Sequence, residues 1–289
     1  MGSADLHVHS QYSDGSMTPV QIADRALERG VSLLAIADHD RVEGSIELEP
    51  LCAARGIRYV PAVEHTAIHD GRCVHILGYF GHFGHPEYRA LIHRARKALD
   101  DMSLLLIERM QVDEPRVCVE DFLSFRRDPS LGGWAGIEYL MRRGVTESMM
   151  AGTRYYPRYN VFYHDAAFPS LAETLAAIHD AGGVAIVAHP GETLKDALMA
   201  EPDEMARAGF LCALNELIDQ GCDGVECYYP SHSDWVTWAC VDLCKQGTLM
   251  VTVGSDCHGI FAYGTDVGEM SAPESLVYLH VEQKLTNEM

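Results

Sequence analysis

Short apolar runs alternate with amphipathic stretches along most of the chain, and this alternation sets an element order. Thr18-Pro19 reads as a helix N-cap followed by proline at the first helical position. Val20, Ile22, Ala23, Ala26 and Leu27 supply an apolar face, and Gly30 ends the helix. Val31–Ala37 follows as a buried strand. The cycle repeats with a helix over Ser45–Arg55, then Gly56, then a strand over Ile57–Val63. Asp70-Gly71 marks a turn before a strand over Cys73–Phe80. Later cycles pair a helix over Leu171–Ala181 with a strand over Val184–Ala188, a helix over Leu211–Gln220 with a strand over Asp223–Tyr228, and a helix over Trp235–Lys245 with a strand over Leu249–Val253.

Strand–helix alternation predicts an α/β fold with a mostly parallel sheet. About seven strands over this length point to a closed or nearly closed barrel. Residues 87–163 break the rhythm: they read as helical and show no clear strand. They are expected to form an insertion that caps one end of a barrel built from residues 1–86 and 164–289.

The chain has 289 residues, with 22 Lys+Arg against 42 Asp+Glu, a formal net charge of −20. That balance disfavours a nucleic-acid polymer as partner, because such affinity rests on neutralising phosphates, and it disfavours an anionic membrane. The charge is uneven. Residues 89–158 hold 12 of the basic and 10 of the acidic residues, a local balance of +2. No apolar run approaches the length of a membrane span, and the N-terminus shows no secretory pattern. Nine cysteines without paired C-x-x-C spacing read as reduced thiols of a cytoplasmic protein. The sequence is silent on oligomeric state.

The chemistry opens the chain, in Asp5-Leu6-His7-Val8-His9-Ser10 and Ser13-Asp14-Gly15. Residues i and i+2 of a strand share a face, so His7 and His9 can point at one metal ion, and Asp14 can add a hard oxygen. Further histidines and carboxylates recur at predicted strand ends: Asp38-His39-Asp40 after Val31–Ala37, Glu64 after Ile57–Val63, His75 at the start of the next strand, His189 after Val184–Ala188, and Asp256-Cys257-His258 after Leu249–Val253. Barrel enzymes assemble their sites on that face.

This set resembles the PHP (polymerase and histidinol phosphatase) family of metal-dependent phosphoesterases. The motifs that carry the resemblance are Asp5-x-His7-x-His9 with Ser13-Asp14-Gly15, then Asp38-His39-Asp40, His189-Pro190 and Asp256-x-His258. The resemblance implies a distorted (β/α)7 barrel holding two or three divalent ions, Mn2+, Fe2+ or Zn2+. It implies nine ligands: His7, His9, Asp14, His39, Glu64, His75, His189, Asp256 and His258. A hydroxide shared between two such ions would attack phosphorus, so no covalent nucleophile is required.

Val225–Ser233 also resembles a stretch of the family's small-molecule phosphatase branch. That likeness places Ser231 and His232 near the metals, with His232 as general acid. Asp38 joins His232 in the expected catalytic set, and Asp38 and Glu226 are expected to orient ligand histidines. Arg158, in Tyr156-Pro157-Arg158, aligns with a Pro-Arg of related phosphatases, and Arg154 and Arg158 are the expected phosphate-binding arginines. Gly132-Gly133-Trp134-Ala135 stands where relatives carry Gly-Arg-Pro-His, so one usual arginine is missing. That departure tilts the expectation toward a small cyclic phosphodiester hydrolysed stepwise to free phosphate. A nucleoside 3′,5′-bisphosphate, then histidinol phosphate, follow as substrates. Two other classes compete: a regulatory metal-binding module, disfavoured by the full ligand set and by a chain that ends soon after the last motif, and an amidohydrolase acting on C–N bonds, disfavoured because no lysine sits at the bridging position. The remaining histidines, His65 among them, read as surface or loop residues.

Overall fold

A computed structural model describes residues 2–195, 203–262 and 264–273. The chain begins with strand β1 (Ser3–Asp5), helix α1 (Pro19–Glu28), strand β2 (Val31–Leu34), helix α2 (Glu43–Arg55) and the short strand β3 (Arg58–Tyr59). The Thr18 side chain accepts from the Gln21 N–H while the Gln21 side chain accepts from the Thr18 N–H, a reciprocal cap that fixes the start of α1. Gly56, at φ 68°, closes α2 in the left-handed conformation that glycine adopts without strain.

The expected strand Ile57–Val63 is two strands. Pro61 carries no N–H to continue a ladder, and the chain changes sheets there. β3 pairs with β2, and a new strand, β4 (Ala62–His69), pairs with β5 (Arg72–Tyr79). Glu64 therefore lies within β4 rather than after a strand. Asp70 and Gly71, at φ 47° and 74°, turn β4 tightly into β5. β5 runs antiparallel to both β4 and β6 (Val184–Val187), an exception within the mostly parallel sheet expected. Its reversal carries the start of the strand, with His75, to the end of the sheet where the other strands finish.

Between β5 and β6 the described residues are helical: α3 (Pro86–Met110), α4 (Val119–Ser124), α5 (Ala135–Arg142), α6 (Met149–Gly152), α7 (Tyr155–Arg158) and α8 (Leu171–Asp180), with two short 3-10 turns. Leu106, Ile107, Ile137, Tyr139 and Leu140 form a buried cluster of their own within this stretch. The chain continues through α9 (Pro190–Thr193), α10 (Glu204–Asp219), β7 (Gly224–Tyr228), α11 (Asp234–Gly247), β8 (Met250–Val253) and β9 (Ala272–Pro273).

Among the described residues the strands form two sheets, ordered β3-β2-β1-β9 and β4-β5-β6-β7-β8, rather than one closed sheet. Backbone hydrogen bonds link the sheets at two margins. At one, the Leu6 N–H donates to the Val253 carbonyl (3.0 Å), Asp256 to His7 (2.8 Å) and His9 to Cys257 (3.0 Å). At the other, Asp40 donates to Glu64 (2.9 Å) and Glu64 to Asp38 (3.3 Å). The space between the sheets is filled by Leu6, Leu33, Ala37, Leu77, Tyr79, Ile186 and Val253. Helices α8, α10 and α11 bury a second apolar layer against the outer face of the larger sheet. No described helix is long and apolar enough to cross a membrane.

Candidate metal centre

The elements above finish around one buried spot. His7 and His9 lie just past β1, where Val8 makes an isolated parallel bridge to Cys257. His39 follows β2 and bridges to Glu64. On β4 and β5, Glu64 pairs with Leu77, and His75 two residues earlier shares that face. His189 follows β6, while Asp256 and His258 follow β8. All nine expected ligands thus meet, although they span 252 positions of sequence.

Glu64 is the hub. Its Oε2 lies 3.1 Å from His7 Nε2, 3.2 Å from His9 Nε2 and 3.2 Å from His39 Nδ1. Its Oε1 lies 3.1 Å from His75 Nδ1 and 2.9 Å from His189 Nε2. Asp256 Oδ1 stands 3.0 Å from His9 Nε2 and 3.4 Å from His7 Nε2. Asp14 Oδ1 stands 3.4 Å from His258 Nε2 and 3.6 Å from His9 Nδ1. The side chains form three overlapping groups: His7, His9, Glu64 and Asp256; His9, Asp14, His39 and His258; and His39, Glu64 and His75.

This donor set fits cations. Asp14 Oδ1, Glu64 Oε2, Asp256 Oδ1 and His39 Nδ1 are buried with no hydrogen-bond partner, a costly state for charged oxygens unless positive charge neutralises them. His7 Nε2 and His9 Nε2 face each other at 3.1 Å, as ring nitrogens do around a shared acceptor of lone pairs. Burial disfavours protonation of His9, yet Asp256 and Glu64 outweigh it and push its pKa to about 10. Burial alone dominates at His39 and lowers it to about 3. Burial would raise the Asp14 carboxyl, but His258 and His39 hold it well below the usual range.

A surrounding layer fixes the ligands. Glu226 faces His7 Nδ1 at 3.0 Å and accepts the His189 N–H at 2.8 Å, so one buried carboxylate aims two ligands. Asp38 accepts from Ser10 N–H (2.7 Å), Ser10 Oγ (2.6 Å) and Ser13 Oγ (2.6 Å). It therefore locks the loop before Asp14 and meets His9 only through Ser13, whose Oγ is 3.4 Å from His9 Nδ1. Tyr229, absent from the sequence reading, donates to Asp256 Oδ2 at 2.8 Å. Its signal was available, as a tyrosine three residues after Glu226 in the strand-end segment. His189 (φ 28°) and Asp256 (φ 49°) both hold left-handed backbone that non-glycine residues avoid. Asp5 joins no group; its carboxylate accepts from Ser255 N–H (3.0 Å) and Gly268 N–H (2.8 Å).

His232, the expected general acid, meets backbone on both sides. The Gly191 N–H donates to its Nε2 (3.1 Å), and its Nδ1 faces the Cys227 carbonyl (3.0 Å). A carbonyl only accepts, so the neutral ring in this arrangement carries its proton on Nδ1. Burial also lowers its pKa. Ser231 is exposed and donates to Glu192 on the rim of the His189 loop. Arg154 pairs with Glu147 (3.1 Å), and Arg158 lies over the Tyr155 ring (5.5 Å). Both are exposed, and those partners belong to the helical stretch rather than to the metal groups. His65 is fully buried in β4, with Nε2 2.8 Å from the Tyr88 hydroxyl, and burial lowers it to about 3.

Gly254 marks how tightly the centre is built. A Cβ there would fall on His7 Cβ and on Glu226 Oε1. Gly254→Ala is expected to cost about 1–3 kcal/mol through overpacking and to lower bound divalent ion, read by thermal denaturation and elemental analysis. An unchanged ion content would show that this close approach is dispensable.

Comparison with known proteins supplies context. The PHP domain model matches residues 5–120. A phosphoribosyl 1,2-cyclic phosphate 1,2-diphosphodiesterase of Eggerthella lenta is 29% identical over 91% of this chain and 97% of its own length. A 5′-3′ exoribonuclease of Haemophilus influenzae is 31% identical over 64% of this chain and 68% of its own. A 3′,5′-nucleoside bisphosphate phosphatase of Chromobacterium violaceum is 27% identical over 93% and 91%. Among solved structures, a Bifidobacterium adolescentis protein described as a metal-dependent phosphoesterase superposes with a TM-score of 0.75, at 25% identity, over 94% of this chain and 93% of its own.

Proposed function

From the premise that the chain belongs to the PHP domain family, we propose that it hydrolyses a small cyclic phosphodiester and then the resulting monoester to free phosphate. It is a metal-dependent phosphoesterase, a hydrolase of phosphoric ester bonds. The observation that carries the reading is Glu64, one buried carboxylate within 3.2 Å of five histidines, with its Oε2 hydrogen-bonded to none.

The three overlapping groups, with His189 on Glu64, favour two to three divalent ions, held by His7, His9, Asp14, His39, Glu64, His75, His189, Asp256 and His258. Mixed imidazole and carboxylate donors suit Mn2+, Fe2+ and Zn2+ alike. Ions bound there would supply activated water and neutralise phosphate oxygens. The chain's own part is positional. Glu226 fixes the tautomer of His7, so that Nε2 faces inward. Tyr229 and the Asp38–Ser13 bond hold Asp256 and the Asp14 loop. His232 ties the His189 loop to the end of β7.

The two hydrogen-bonded margins support reading the sheets as a distorted (β/α)7 barrel. Residues 87–163 are read as its cap. That reading rests on the Gly133 N–H donating to the Asp14 carbonyl (2.8 Å) and on Arg127 Nη2 donating to the Gln11 carbonyl (2.8 Å). The nine free cysteines suit a reducing compartment such as the cytoplasm. The Eggerthella relative matches along nearly its whole length and favours the cyclic substrate, while the Chromobacterium relative favours a 3′,5′-bisphosphate as second reading.

A phosphate-release panel with Mn2+ tests the assignment. Its arms are ribose 1,2-cyclic phosphate 5-phosphate, adenosine 3′,5′-bisphosphate, histidinol phosphate and a 5′-phosphorylated oligoribonucleotide. The cyclic ester is expected to turn over fastest. Faster release of nucleotides from the oligoribonucleotide would replace the small-molecule reading with a nuclease, and silence on all four would end the phosphoesterase reading.

A further inference from the structure

Thr193 stands one helical turn after the ligand His189, and side chains four residues apart on a helix are neighbours. Its hydroxyl lies 3.2 Å from His189 Nδ1 and 3.2 Å from the Ala188 carbonyl. The other ring nitrogen, Nε2, lies 2.9 Å from Glu64 Oε1. The imidazole therefore spans the distance from the hydroxyl to the hub of the centre. The backbone sets this up. His189 takes its left-handed φ of 28°, its N–H donates to Glu226 (2.8 Å), and Pro190 opens α9 at a position that needs no donor. The Thr193 N–H donates to the His189 carbonyl at 3.1 Å, which closes the turn and brings the hydroxyl beside the ring.

A hydroxyl carries one proton, and a carbonyl oxygen can only accept. The Thr193 proton goes to Ala188, so its oxygen faces His189 Nδ1 as an acceptor. Nδ1 must then donate, and a neutral imidazole that donates through Nδ1 keeps a lone pair on Nε2. That lone pair meets a buried carboxylate oxygen at 2.9 Å, an unfavourable contact unless the two share a cation. His189 is thereby set as a cation ligand rather than as a hydrogen-bond donor to Glu64. His7 is set in the same way by a different group, the Glu226 carboxylate 3.0 Å from its Nδ1. A carboxylate raises the basicity of the imidazole that it backs, and a neutral hydroxyl does so less.

We propose that Thr193 is a positioning residue of the metal centre: its hydroxyl fixes the tautomer and orientation of His189, and so sets the affinity of one bound ion. The inference rests on the metal-dependent phosphoesterase reading and deepens it. Because a hydroxyl backs His189 where a carboxylate backs His7, the ion that depends on His189 is the most weakly held and the first to leave. The hydroxyl acts through the ring alone and touches neither substrate nor reacting atoms.

The test is a calorimetric titration of the full chain with Mn2+ after chelation, which reads the ions without turnover. Thr193→Val keeps the shape and removes the hydroxyl, whereas Thr193→Ser keeps the hydroxyl and removes the methyl group. The valine variant is expected to weaken the loosest ion by about 10–100-fold, the usual effect of losing the outer partner of a ligand histidine, and to leave the tightest ion unchanged. The serine variant is expected to bind as the wild type does. Wild-type affinities in the valine variant overturn the proposal. So does a serine variant as weak as the valine one, since packing by the methyl group would then be the cause, and so does an equal weakening of every ion, which is general loosening. NMR of the ring nitrogens in the Zn2+-loaded wild type needs no variant: a proton on His189 Nδ1 is expected, and an Nδ1 without one overturns the proposal. If ion affinity follows the hydroxyl while no phosphoester is hydrolysed, the positioning role stands and the hydrolase reading fails.

Discussion

Replacing Glu64 by glutamine is expected to reduce phosphate release by at least about 10³-fold and to lower the bound divalent ion, in a chain that still folds. A factor of 10³ corresponds to about 4 kcal/mol of transition-state stabilisation, the scale at which a metal centre contributes. Glu64 touches His7, His9 and His39 through one oxygen and His75 and His189 through the other, so its charge is shared by two of the three groups. Glutamine keeps the volume but puts an NH2 where one acceptor oxygen stands, so it faces ring nitrogens as a donor without charge. Phosphate release and elemental analysis, with circular dichroism as the folding check, decide the matter. A variant that keeps wild-type ion content and turnover would remove Glu64 from the centre.

Stripping the protein of divalent ions with a chelator is expected to abolish phosphate release and to lower the thermal midpoint, with both restored by Mn2+. The structural reason is the crowding of Asp14, Glu64, Asp256 and Glu226 within a buried space. Without positive charge, three of these carboxylates keep oxygens that no hydrogen bond satisfies. Anything that binds the folded state and not the unfolded one stabilises it by mass action, about 2.7 kcal/mol at 100 times the dissociation constant. Elemental analysis should return two to three ions per chain before stripping. Full activity in protein shown to be metal-free would sink the mechanism.

The α/β alternation and the histidines and carboxylates that gather around Glu64 were legible because each signal is local. Apolar runs punctuated by Gly30, Gly56 and Gly182-Gly183 give the alternation, and most ligands sit within three residues of a strand end. What failed was long-range geometry. Nothing in Ile57–Val63 alone says that the chain leaves one sheet at Pro61 and enters another. The Asp70-Gly71 turn is a local signal, but the direction of β5 relative to β6 depends on how the helical stretch returns the chain. The bonds of His232 to Gly191 and Cys227 depend on how the His189 loop folds back, which no local pattern shows.

The reversed strand β5 has a consequence for how such a protein can diversify. A strand running against its neighbours ends at the far side of the sheet, where the Phe80 N–H donates to the Pro61 carbonyl and His82 to Ala181. The chain must then climb back, and α3, with 25 residues and a rise of about 1.5 Å each, covers that distance in one element. The stretch between α3 and α8 contributes none of the nine ligands and has an apolar cluster of its own. Away from Gly133 and Arg127, which bond the loop that carries Asp14, its residues can therefore change with little penalty to the ion-holding groups. Substrate preference can drift in this segment while the hydrolytic chemistry is inherited unchanged.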